Sequence, residues 1–173
     1  MKTLSGIAVS SLILFLSMPV MAASDGLSIS SKKLKIVVSK DIRAASEKVE
    51  VIKDYKVLSR LESELTGYLE GLPAGARTEI VITGFRLRSG ASGFFGMSGR
   101  DEIDARVTVK DKKKKQIAYF TLSATNGRSG RSQPPTRRLV TLVQKFGQKF
   151  GTKLNFSMGK LPFFPGIIKV YPR

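Results

Sequence analysis

Ten consecutive residues, Asp101 to Lys110, alternate without a break: Ile103, Ala105, Val107 and Val109 point one way, and Glu102, Asp104, Arg106, Thr108 and Lys110 the other. Successive strand residues face opposite sides of a sheet, so this segment reads as a strand with one buried and one wet face. Its apolar face needs a covering layer. Sequence on both sides supplies partners and a cover.

Gln116 to Thr125 follows after the tight connection Asp111-Lys112-Lys113-Lys114-Lys115, which predicts a β-hairpin. Thr78 to Leu87 is β-branched and almost continuously apolar, as a central strand should be. Nearer the N-terminus, Lys33 to Ser39 reads as a first strand, and Lys40 to Asp54, charged and poorly periodic, as a loop with at most one helical turn.

Two segments carry helical periodicity. Val57, Leu58, Leu61, Leu65, Tyr68 and Leu69 recur at spacings of three and four within Tyr55 to Leu69, with Asp54 placed to cap the start and Gly71 and Pro73 to stop it. From Thr136 the same spacing joins Leu139, Leu142, Val143, Phe146, Phe150 and Leu154, in a helix ending near Lys153. Prolines 134 and 135 suit its first turn, where a missing amide has no partner to lose. The expected fold is therefore α+β: an antiparallel sheet, a meander of three strands plus an N-terminal strand, packed on one face by two amphipathic helices. No internal repeat is visible, and the domain is expected over 33–154, preceded by a flexible segment 23–32 and followed by a tail or edge strand 155–173.

The first 22 residues have the order of a secretory signal peptide: Lys2, an apolar stretch through Ile7 and Leu12 to Leu16, then Pro19-Val20-Met21-Ala22. Cleavage is expected after Ala22 or Ala23. The rival reading, a retained anchor, needs about 20 uninterrupted apolar residues, and Ser10, Ser11, Ser17 and Pro19 interrupt the run. A lipoprotein signal needs a cysteine, and the chain has none, so the expectation is an exported periplasmic protein that is not a lipoprotein. Loss of Lys2 with the leader leaves 29 basic residues against 13 acidic, a charge of +16.

The absence of both Cys and His removes thiol nucleophiles, thiolate metal sites, Ser-His-Asp triads and His-based metal centres. Gly127-x-x-Gly130 matches neither phosphate-loop nor dinucleotide pattern. No cofactor, metal or catalytic residue is expected. Asp101, Glu102 and Asp104 lack calcium-loop spacing, and charge pairing with Arg106 and Lys110 is favoured for them over paired-carboxylate hydrolysis.

Two basic groups are candidate anion contacts. Lys112, Lys113, Lys114 and Lys115 form the densest charge in the chain, and the same lysines also suit a solvated tip that resists strand pairing. Arg128, Arg131, Arg137 and Arg138 flank a helix N-terminus, where guanidinium groups and the helix dipole both favour anions. Lipid head groups and lipopolysaccharide are the partners these suggest, whereas export and the lack of aromatic-interleaved basic motifs argue against nucleic acid. Phe94 and Phe95, in the glycine-rich run 89–100, and Phe163 and Phe164, in the tail, either pack on the domain or contact an envelope protein partner.

The strand Ile80-Val81-Ile82-Thr83-Gly84-Phe85, the loop through Gly90, Gly93, Gly96 and Gly99, the strand Ala105 to Asp111 and the segment Gln116 to Phe120 follow one another within Ala76 to Leu154. In this texture the chain resembles a group of small bacterial envelope proteins, domain of unknown function 4410, many of them lipoproteins. The resemblance implies an envelope setting and no reaction. The chain departs from that group in lacking the lipobox cysteine and in placing four lysines where a short glycine turn is typical.

Overall fold

A computed structural model of the chain describes residues 26–88, 100–126 and 133–159. The elements, in order, are β1 (Ser28–Ser30), β2 (Leu34–Val38), α1 (Lys40–Arg43), α2 (Ser46–Asp54), α3 (Val57–Thr66) with a 3-10 turn at Gly67–Leu69, β3 (Arg77–Arg86), β4 (Asp101–Lys110), β5 (Gln116–Asn126) and α4 (Pro135–Ser157). This is an α+β fold in which one five-stranded sheet, in the order β1-β2-β3-β4-β5, packs against the helices.

The meander β3-β4-β5 is antiparallel, with Ile80 opposite Val107 and Val107 opposite Phe120. Alternation in β4 is realised residue by residue, every odd-numbered position from Asp101 to Val109 being buried. The sheet as a whole is mixed, which corrects the expectation of an all-antiparallel one. β2 lies parallel to β3, Ile36 opposite Ile80, because the chain between them crosses over as helices and returns to the same end of the sheet. The segment 40–54, read from sequence as a loop, supplies α1 and α2 of that crossover. Each buries one isoleucine, Ile42 or Ile52, too little apolar periodicity to register in sequence yet enough to fasten a short helix to the core.

Three further boundaries differ, the first being α4, which runs to Ser157, one turn past the expected end near Lys153. Asp54 ends α2 rather than capping α3, whose N-cap is Lys56 in the left-handed region (φ 50). Residues 28–30, within the segment expected to be flexible, form β1 because the Val38 amide donates to the Leu27 carbonyl (3.1 Å) and Leu27 is buried.

Helix α4 spans nearly the length of β5 and fills the core with Leu139, Leu142, Phe146 and Phe150, all fully buried. Burying a side chain of this size stabilises the fold by about 2 kcal/mol. The Phe150 ring sits between those of Phe120 (6.1 Å) and Tyr68 (6.3 Å, edge-on). Gly147 and Gly151, one turn apart, let α4 approach closely: side-chain atoms of Glu64 and Tyr68 occupy the space their β-carbons would need.

Among the described residues β5 is an edge strand of 11 residues, long enough to invite pairing with another chain. Two α4 lysines reach over it. Lys149 Nζ donates to the Ser123 carbonyl (2.8 Å) and Lys153 Nζ to the Thr121 carbonyl (2.6 Å).

Candidate anion-binding surface

Strand register divides the basic residues between the two ends of the sheet. β5 runs from the hairpin at Gln116 to Asn126, and the α4 N-terminus meets it there, Asn126 Nδ2 donating to the Arg138 carbonyl (2.7 Å). Eleven strand residues span about 33 Å. The lysine tip and the arginines of α4 are therefore separate places rather than one surface.

At the α4 end the core contains a charge. Asp101 Oδ2 accepts from Arg138 Nε (3.0 Å), and Asp101 Oδ1 accepts from the Arg88 amide (3.0 Å) and Arg88 Nε (3.4 Å). Arg138 also donates to the carbonyls of Gln133 (2.7 Å) and Arg88. Burial alone would push the Asp101 carboxyl up. The Arg88 amide and the two guanidinium groups outweigh burial and hold it below the usual carboxylate range.

Arg138 is thus corrected from an anion contact to a structural ion-pair partner, because its guanidinium is buried and committed to Asp101 and two carbonyls. Asp101 leaves the carboxylate group it was assigned to: it faces the core, while Glu102 and Asp104 lie on the open face. Both facts had a sequence signal. Asp101 is in phase with Ile103 and Val107, and Arg138 precedes Leu142 by one helical turn, so each occupies a core position that an ion can fill only with a partner. Arg137, one residue away, is exposed. Arg128, Arg131, Phe94, Phe95, Phe163 and Phe164 lie outside the described residues.

The opposite end is built differently. Leu34, Thr78, Val109 and Ala118 share one register row, so Lys35, Arg77, Lys110 and the tip Lys112 to Lys115 gather at the same end of the sheet. All seven are exposed. Glu79 answers two of them across the strands, Lys35 at 3.1 Å and Lys110 at 3.9 Å. Arg77 and Lys110 stand directly opposite each other, and like charges in such a pair destabilise a sheet.

In the hairpin itself, the acid is engaged with backbone. Asp111 Oδ1 accepts from the Lys115 amide (2.9 Å), the Asp111 amide donates to the Lys115 carbonyl (2.9 Å), and the Lys114 amide donates to the Asp111 carbonyl (3.0 Å). Asp111 therefore shapes the turn. The turn also places Lys114 at φ 64, a conformation that glycine or asparagine adopts at less cost. Of the four lysines this turn carries, Lys114 stands at a position where glycine would cost less.

No family model matches the chain, and neither does any curated protein. Among solved structures it is similar to a candidate lipoprotein of Caulobacter crescentus CB15, at 12% identity over 58% of this chain and 82% of that one, with a TM-score of 0.41. A minor lipoprotein of Acinetobacter baumannii is 13% identical over 76% of this chain and 96% of that one, TM-score 0.36. PelC of Paraburkholderia phytofirmans, solved as a dodecamer, is 14% identical over 68% and 88%, TM-score 0.32. Likenesses of this size assign no function.

Proposed function

We propose that this protein is a non-enzymatic component of the bacterial cell envelope, exported by its N-terminal leader, and that its cationic hairpin end binds a phosphate-bearing envelope component. Lipid head groups and lipopolysaccharide supply that chemistry. The observation that carries the reading is the excess of positive charge at this end: seven exposed basic residues, with Arg77 facing Lys110, meet one carboxylate, Glu79, which reaches Lys35 and Lys110, while the acid of the turn accepts from backbone. An anion seated among these groups relieves their repulsion. The lack of His and Cys agrees with a binding role.

Co-sedimentation with phosphatidylglycerol vesicles and with lipopolysaccharide, at low and high salt, tests it. Salt-sensitive binding that falls when Lys112 to Lys115 are all changed to Gln supports the reading, since exposed charge contacts are screened by salt. Binding to neither anion, or binding that the four substitutions leave untouched, overturns it.

A further inference from the structure

One surface of α4 is exposed and basic. The helix carries Arg137, Arg138, Lys145, Lys149 and Lys153 and no acidic residue. Lys145, Lys149 and Lys153 follow one another at intervals of four, so each adjacent pair is a like-charge pair that disfavours the helix. At about 100° per residue these three lysines and Phe156 fall within an arc of about 80°. Phe156 is 81% exposed, the most exposed of the large hydrophobic side chains among the described residues.

Two of these lysines, Lys149 and Lys153, reach the β5 edge. Because the lysine ammoniums of 149 and 153 are fixed on the Ser123 and Thr121 carbonyls, their positions are set in advance. Each retains two further N–H donors. Between strand and helix lies an open groove of about 430 Å³ lined by Leu122, Ser123, Gln148, Lys149, Thr152 and Lys153. Tyr119, 53% exposed, stands farther along the same edge strand, and Lys115 precedes that strand at the hairpin. Fixed cations beside an exposed aromatic ring are the complement of an anionic membrane interface, where phosphates meet the lysines and the ring enters the acyl boundary. Among the described residues no helix is long and apolar enough to cross a membrane.

We infer that the α4–β5 edge docks on an anionic phospholipid bilayer, with Lys145, Lys149 and Lys153 engaging headgroup phosphates and Phe156 inserted as the apolar anchor. This rests on the reading of the protein as an anion-binding envelope component, names the anion's source and adds a second contact face to the hairpin end.

The chain has no Trp, so Phe156→Trp introduces a single reporter at an exposed site that tolerates it. On vesicles of equal parts phosphatidylglycerol and phosphatidylcholine, the emission at 156 is expected to shift to the blue and to be quenched by acyl-brominated lipid. Phe156→Ser should weaken vesicle binding about tenfold with its salt dependence unchanged. Each Lys→Gln change at 149 or 153 should weaken it about fivefold and flatten the salt dependence.

Unchanged emission at 156 on vesicle-bound protein overturns the insertion. Binding to lipopolysaccharide with none to vesicles overturns bilayer docking while leaving the hairpin reading intact. Binding to neither overturns both.

Discussion

Asp101 and Arg138, 37 residues apart in the chain, meet side chain to side chain at 3.0 Å inside the protein. With Arg88, Asn126 and Gln133 they join residues that flank segments 89–99 and 127–132 of the chain. A pair of this kind holds its surroundings in one arrangement, since either ion left alone in the core is costly. Asp101→Asn is expected to destabilise the protein by about 3 kcal/mol in urea unfolding, and Asp101→Asn combined with Arg138→Met by less than the two single changes together.

The same carboxyl makes stability depend on pH. Its value is lowered on folding, so its contribution is fully present above the unfolded carboxylate value of about 4 and is lost as pH falls through the folded value. Unfolding free energies measured from neutral to acid pH should show this loss in the natural protein and a smaller one in Asp101→Asn.

Gly147 and Gly151 should respond differently to alanine. A methyl group at 151 meets the Tyr68 ring, which is braced edge-on against Phe150, and overpacking there is expected to cost about 2 kcal/mol. At 147 the neighbour is the flexible Glu64 side chain, whose carboxyl is pushed up by burial. It can swing into water, so Gly147→Ala should be near neutral, the gain in helix propensity offsetting the shift. Thermal unfolding of the two variants distinguishes these outcomes.

Lys114→Gly should stabilise the hairpin by about 1 kcal/mol by relieving the left-handed backbone, while weakening binding to anionic vesicles. Opposite signs for stability and binding are the signature of a residue kept for contact rather than for folding.

Lys149→Ala with Lys153→Ala should leave the core intact but uncover the Thr121 and Ser123 carbonyls on the β5 edge. Self-association is the expected result, seen by sedimentation velocity as concentration-dependent species absent from the natural protein.

Local periodicity carried much of this fold. The alternation of 101–110, the lysine turn after it and the three-and-four spacing of Leu139 to Leu154 each report which side of its own element a residue occupies, and the structure realises all three. Periodicity says nothing about what stands across the gap. The parallel pairing of Ile36 with Ile80, the burial of Arg138 against Asp101 and the lysine caps on β5 all join residues more than 25 positions apart. The placing of the two basic groups at opposite ends of the sheet likewise depends on strand pairing across the chain. A short-range pattern is set by the geometry of the backbone alone, whereas a long-range contact exists only once the core has closed and chosen which groups share it.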